Sequence, residues 1–321
     1  LSERIVPARV EGYEPPWWLP GGHLQTLGPV LWPKAPVRWR RERWETPDAD
    51  FIDLDWAGSG GGPLVVLFHG LEGSSSSHYA RSLAAEALAR GWRCVVPHFR
   101  GCSGSLNRLP RAYHSGDSEE IGWILGRLAA NHAEKENLYA AGVSLGGNAL
   151  LKWLGETGAA AGVRKAAAIS APLDLAAVGR TLDAGLNRRL YTRAFLLTLK
   201  AKAIAKIVLD QLPLDQRTLA KVRTLHEFDD MVTAPLHGFR DADDYWARAS
   251  CGPWLKSIAV PSLIVNARND PFMPPAVLDA LQSRRDIPAH VRLEFPDTGG
   301  HAGFPGRGRW LARRVLEFLA A

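Results

Sequence analysis

The sequence predicts an α/β fold with a mostly parallel central sheet, an N-terminal antiparallel hairpin and a helical insertion. Three observations carry this reading. From Pro63 onward short apolar runs alternate with helical patterns; near Pro172 the alternation stops, to resume at Ser262; and the one G-x-S-x-G of the chain stands where an apolar run passes into a helical pattern. Strands buried on both faces read as continuous apolar runs, and parallel neighbours need helical crossovers.

The opening segment holds Pro15-Pro16-Trp17-Trp18 and Pro20-Gly21-Gly22, and so reads as irregular. Val37–Thr46 and Phe51–Ala57 read as strands, joined by a turn at Pro47-Asp48-Ala49-Asp50 into a hairpin. Gly58–Gly62 is a flexible loop. Strand Leu64–Phe68 leads to helix Arg81–Arg90, strand Cys94–Phe99 to helix Ser118–Ala130, and strand Leu138–Val143 to helix Asn148–Gly155, before strand Lys165–Ser170. The stretch from Pro172 to Cys251 is mostly helical. Strand Ser262–Ala267, helix Ala276–Ser283, strand Val291–Phe295 and helix Trp310–Leu319 complete the pattern. Because the alternation continues across the gap, the 321 residues read as one domain rather than two. Its parts are a Trp-rich extension and edge hairpin (1–62), a core (63–171 and 255–321) and a helical insertion (172–254). The early tryptophans are expected to pack the extension onto the core.

Composition narrows the function classes. With 46% hydrophobic and 22% charged residues the chain is neither disordered nor collagen-like. Three cysteines (Cys94, Cys102, Cys251) form no C-x-x-C pair and no disulfide framework. No basic region followed by an apolar one opens the sequence, and no apolar run is long enough to span a bilayer. A cytoplasmic protein is the expectation. The net charge of +6 comes mainly from scattered arginines, without zinc-finger spacing, an RNA-binding aromatic signature or a dense basic block. A basic solvated surface is therefore expected, with no nucleic-acid partner. Contact of the basic stretch Leu186–Leu209 with a membrane is a weaker reading, because its charges do not separate cleanly from its apolar residues on a helical wheel. No metal is expected, since the ten histidines include neither H-E-x-x-H nor a close His/Cys cluster. G-x-x-x-x-G-K-[ST] and G-x-G-x-x-G are absent.

The chemistry centres on Gly142-Val143-Ser144-Leu145-Gly146. A serine on a sharp strand-to-helix turn, with glycines two positions either side, is exposed and uncrowded, and the helix N-terminus behind it favours a developing oxyanion. A serine hydroxyl needs a base, and the base an orienting acid. Asp270 lies just past the apolar run Leu263–Ala267, whereas Asp279 and Asp286 lie on or beyond the next helix. Of the histidines that follow Asp270, His290 opens a strand, while His301 stands in the loop Thr298-Gly299-Gly300-His301-Ala302-Gly303, where an imidazole can reach over strand ends. Ser144, Asp270 and His301 are therefore the candidate triad. The oxyanion hole would use the backbone N–H of Leu145 and that of Leu71 in His69-Gly70-Leu71-Glu72-Gly73. His69 is read as shaping that loop, Ser74–Ser77 as a solvated turn and helix N-cap, and His98 and Cys102 as possible pocket-lining groups.

Several stretches resemble one family. Gly22-His23-Leu24-Gln25-Thr26-Leu27 is the most specific, joined by His69–Gly73, Phe99-Arg100-Gly101-Cys102-Ser103-Gly104, Tyr113-His114-Ser115-Gly116-Asp117, Gly142–Gly147, Glu227-Phe228-Asp229-Asp230 and Gly238-Phe239. Together they resemble the YheT-type α/β-hydrolases, a bacterial group named as esterases, with lipid-acting animal abhydrolase-domain proteins and a plant embryogenesis-associated group beside them. The resemblance implies an α/β-hydrolase fold, a Ser144–Asp270–His301 triad and a helical cap formed by the insertion. It supplies no substrate. Some relatives carry an H-x-x-x-x-D acyltransferase pattern, which no histidine here satisfies; His114 meets Glu119 at that spacing. The expectation is a cofactor-free serine hydrolase acting on small-molecule or lipid carboxylic esters. Acyl transfer, thioester cleavage or phospholipid cleavage by the same triad is the alternative, and a non-catalytic binding module the remote one.

Overall fold

The computed structural model describes residues 13–130, 137–209, 211–306 and 308–321. The first twelve residues of the Trp-rich extension lie outside the described residues.

Among the described residues one eight-stranded sheet runs through the molecule. Its strands are β1 (Arg40–Glu45), β2 (Phe51–Ala57), β3 (Leu64–Phe68), β4 (Arg93–Pro97), β5 (Leu138–Val143), β6 (Lys165–Ile169), β7 (Ser262–Val265) and β8 (Val291–Glu294). Their spatial order is β1-β2-β4-β3-β5-β6-β7-β8. The β1/β2 and β2/β4 pairs are antiparallel and the five pairs from β4 to β8 are parallel. The crossover from β3 places β4 on the side away from β5 and leaves β3 beside β5, so the strands that lead to the two key loops are direct neighbours. All of β3 and β5 is buried, as their continuous apolar runs require.

Strand β1 begins at Arg40 rather than Val37, because β2 offers partners only for Arg40 through Glu45, with Arg40 opposite Trp56. The edge strand carries Arg41 and Arg43, which clamp Asp55 and Asp53 of β2 at 2.7 Å. Charges on an edge strand discourage pairing with another chain.

Helix α1 (Gly21–Leu31) corrects the irregular reading of the opening segment. Pro-Gly-Gly and Pro29 punctuate the sequence, but Pro20 precedes the first turn and Pro29 sits near the C-terminal end, so neither blocks a short helix. Tertiary contact holds it: a side chain at Gly22 would lie 1.8 Å from the Asn269 carbonyl oxygen. Only part of the tryptophan expectation matches. Trp44 is buried edge-on against Trp123, and Trp39 and Trp56 pack on the core, but Trp17 is 90% exposed and Trp18 half exposed.

The crossover helices are α2 (His78–Ala89), α3 (Ser118–Ala129) and α4 (Leu145–Thr157), with α9 and α10 (Pro275–Ser283 and Trp310–Ala320) closing the chain. Between β6 and β7 stand α5 (Leu175–Leu182), α6 (Arg193–Val208), α7 (Gln216–Lys221) and α8 (Ala242–Ala249). A π-helical turn, Arg188–Thr192, leads directly into α6. This run returns to the core through Asn148 of α4. Its side-chain amide donates to Ser115 and Ala249 carbonyls at 2.8 Å and accepts from the Cys251 N–H at 2.9 Å.

Candidate active site

Strand β5 ends at Val143, and Ser144 takes φ 51° and ψ −120° before α4 starts. A non-glycine residue rarely adopts such a conformation, and the surroundings must over-determine it. Gly146 is what lets them: a Cβ there would sit 2.5 Å from the carbonyl oxygens of both Phe68 and His69, so α4 can approach β3 closely only without one. Gly142 faces the same constraint, 2.5 Å from the Gly146 carbonyl oxygen.

The three residues singled out in the sequence converge here. Ser144 Oγ lies 2.9 Å from His301 Nε2, and His301 Nδ1 lies 2.8 Å from Asp270 Oδ2. Asp270 follows β7 and is 5% exposed; its other oxygen accepts the Phe272 N–H at 2.8 Å. The Phe272 ring stacks on the imidazole with centroids 4.0 Å apart. With Nδ1–H donating to the carboxylate, Nε2 keeps a free lone pair for the serine proton.

Helix α1 supplies supports that the sequence did not reveal. Thr26 Oγ1 accepts the His301 N–H at 2.9 Å, and Gln25 Oε1 accepts from Gly299 N–H and from the Asn269 amide, each at 2.9 Å. Asn269 Oδ1 in turn accepts the Gly300 N–H at 3.0 Å. The loops bearing Asp270 and His301 are thus pinned to each other and to α1. The one available signal was the G-H-L-Q-T-L stretch itself, whose specificity gave no hint of its partners.

The loop after β3 carries the other candidate groups. Leu71 and Leu145 line the same cavity as Ser144, Asp270 and His301. Buried His69 shapes the loop, as expected: Nδ1 lies 2.8 Å from the Gly70 carbonyl oxygen and Nε2 accepts the Phe99 N–H at 3.1 Å. Glu72, at φ 55°, anchors the next turn. Its carboxylate accepts from Tyr113 Oη at 2.7 Å and from Lys202 Nζ of α6 at 2.6 Å, and its N–H donates to Tyr113 Oη at 2.9 Å. Two expectations change. Neither His98 nor Cys102 is in the cavity wall: His98 lies buried with Nε2 2.8 Å from Asp55 Oδ2, joining Arg41 and Ser75 around that carboxylate, and Cys102 Sγ lies 3.2 Å from Lys202 Nζ. Ser77 stands at the N-cap of α2 without a side-chain cap bond; its Oγ accepts the Ser74 N–H instead, and Ser75 is buried against Asp55.

The cavity has a volume of about 150 Å³ and walls that are mostly apolar, contributed by residues such as Val178, Phe195, Leu199, Phe228, Val232 and Phe272. Most of these come from the insertion. Among the described residues no group of three His, Cys, Asp or Glu side chains could hold a metal ion.

Burial pushes the His69 imidazole down to about 3 from its ordinary 6.5. A histidine depressed in the folded state favours folding fully above its unfolded pKa and loses that contribution as pH falls below it. From pH 6.5 to pH 5 the loss is about 2 kcal/mol for one such group. Buried Asp229, pushed up to about 6, acts in the opposite sense. Chemical denaturation of wild type and His69→Gln at pH 7 and pH 5 isolates the histidine. The gap between their unfolding free energies is expected to narrow by about 2 kcal/mol at the lower pH, and an unchanged gap would show that folding leaves the proton affinity of His69 as it is in the unfolded chain.

The family described as alpha/beta hydrolase fold matches residues 63–306. The chain is 40% identical to "Putative esterase YheT" of Escherichia coli (strain K12), over 92% of this chain and 89% of that protein. It is 30% identical to "Phospholipase ABHD3" of Homo sapiens, over 98% of this chain and 80% of that one. Among solved structures, the Pyrococcus furiosus esterase PF2001 shares the fold with a TM-score of 0.58 at 18% identity, covering 88% of this chain and 91% of that one. The chain belongs to the α/β-hydrolase family, in the group typified by YheT.

Proposed function

We propose that this α/β-hydrolase cleaves carboxylic esters through an acyl-enzyme, with Ser144 as nucleophile, His301 as base and acid, and Asp270 as the group that orients the imidazole. The observation that carries the reading is the position of His301, within hydrogen-bond reach of both Ser144 and Asp270 under an apolar cavity. Ser144 Oγ adds to the ester carbonyl carbon while His301 Nε2 takes its proton. The carbonyl oxygen becomes an oxyanion facing the N–H groups of Leu71 and Leu145, two fixed donors in a site poor in competing water. Collapse breaks the bond to the alcohol oxygen, which takes the proton from His301 and leaves. Water, deprotonated by the same imidazole, then adds to the acyl-serine, and the acid departs as Ser144 recovers its proton. No cofactor enters this sequence.

The helices between β6 and β7 act as a cap, since they provide most of the apolar wall. Such a wall suits an acyl chain, in keeping with the phospholipase name of one relative. A series of nitrophenyl esters of rising acyl length tests this. Turnover is expected to climb from acetyl to longer chains; equal turnover across the series, or a preference for acetyl, would remove the acyl-chain assignment.

Glu72 and Lys202 form a positioning pair, because they join the cap to the loop that presents Leu71 N–H. Glu72→Gln and Lys202→Met are expected to lower kcat about tenfold with little change in KM, a part of the loss seen when an oxyanion donor is removed outright. Lys202→Arg should recover most of it. A fall in stability with kcat unaltered in the folded fraction would make the pair merely structural.

A further inference from the structure

Of the eleven large hydrophobic side chains that stand exposed among the described residues, ten fall in two stretches. Trp17, Trp18, Leu24, Val30 and Leu31 belong to the segment around α1; Leu186, Leu190, Leu197, Val208 and Leu209 belong to the π-helical turn, α6 and their flanks. Exposed apolar residues scattered singly need no explanation, but concentration of this kind marks an interaction surface. The two stretches meet beside the candidate site. His23 Nδ1 lies 3.0 Å from Tyr191 Oη, and the two rings stack. The inner face of α6 lines the cavity through Phe195, Leu199 and Ala203, while Leu197 on its outer face is 68% exposed.

Charge selects the occupant. From Ala184 to Leu209 there are six basic residues and no acidic one. Lys202 and Lys206 turn inward, to Glu72 and to the carbonyl of Leu109. Arg188, Arg189 and Arg193 are exposed and have no side-chain partner among the described residues. They stand beside Leu186, Leu190 and Leu197 in the chain. We infer that this face docks on an anionic lipid bilayer, with the leucines and the α1 residues entering the interface and the three arginines meeting lipid phosphates. A second copy of the chain fits less well, because a twofold interface on this patch would set the unpaired arginines of the two copies against each other. Docking in this way would bring the cap side of the cavity to the lipid, so the inference deepens the ester-hydrolase reading by naming where its substrate comes from.

Co-sedimentation with vesicles tests the surface without any assay of turnover, so the docking and the chemistry can fail separately. Wild type is expected to bind vesicles of phosphatidylcholine with added phosphatidylglycerol far better than phosphatidylcholine alone, and to lose binding as salt rises. Each surface arginine is worth about fivefold in partition onto such a membrane, so R188Q/R189Q/R193Q should bind about a hundredfold more weakly. Leu190→Ser with Leu197→Ser should weaken binding as well, while Leu88→Ser should not. All three variants should hydrolyse a water-soluble short ester at the wild-type rate. Binding unchanged in the arginine variant would overturn the inference. So would a vesicle-free dimer that Leu197→Ser dissolves, which would give the face to a second copy. Failure to bind anionic vesicles at all would leave it to a soluble acidic partner.

Discussion

Ser144→Ala is expected to lower kcat for a nitrophenyl ester by on the order of a millionfold, leaving a folded protein that still binds the substrate. The change deletes the only atom that would be acylated, and the neighbouring imidazole cannot replace it without moving: its Nε2 already faces Oγ at 2.9 Å. His301→Ala should cost about as much, because an unactivated serine is nearly inert, and Asp270→Asn about ten-thousandfold, by favouring the wrong imidazole tautomer. The effects should not add. A double variant that is much slower than either single one would show that the two residues act in separate steps. Circular dichroism and denaturation must match wild type for the kinetic loss to count, and they should, because Ser144 is partly exposed and its side chain bonds only to His301 among the described residues.

Asn148→Ala is expected to cost about 3–5 kcal/mol of stability, the largest effect anticipated for a single polar side chain here. Asn148 is fully buried and serves three partners from two regions of the chain: the Ser115 carbonyl before α3, and Ala249 and Cys251 where the insertion returns to the core. Truncation leaves two carbonyls and one N–H without partners in a site closed to water. Urea denaturation should show the midpoint shift. Asn148→Asp should be destabilised comparably, since a carboxylate cannot donate to either carbonyl. If alanine cost less than about 1 kcal/mol, water would have to enter and replace the amide.

The parts of the fold that were legible in the sequence share one property: their local pattern and their burial agree. The runs Leu64–Phe68 and Leu138–Val143 coincide with β3 and β5 because both faces of a central strand are covered and every position is apolar. Ser144, Asp270 and His301 were legible because an elbow, a strand end and a glycine-flanked loop each have a local signature. What escaped depends on contacts far apart in the chain. Helix α1 is written in residues that punctuate structure elsewhere, and its fit against the Asn269 carbonyl cannot be read from Gly22 alone. Gln25 and Thr26 reach loops more than two hundred residues away, and no periodicity announces that. Helix α4 begins at Leu145, three residues before the expected Asn148, because Gly146 and Gly147, weak helix formers by propensity, are held by packing, Gly146 against the end of β3 and Gly147 against Gly142 of β5. Trp17 and Trp18 run the other way: aromatic residues suggested burial, and the fold leaves Trp17 exposed and Trp18 half exposed near Leu24, Val30 and Leu31 in the chain.

Ester cleavage through an acyl-enzyme requires Ser144 to be modified covalently, and a fluorophosphonate probe followed by intact-mass measurement and peptide mapping tests this most directly. A single adduct is predicted, on the peptide that carries Ser144, with parallel loss of ester turnover and no labelling of Ser144→Ala. An adduct on another residue, or full turnover in protein whose Ser144 stays unmodified, would contradict it.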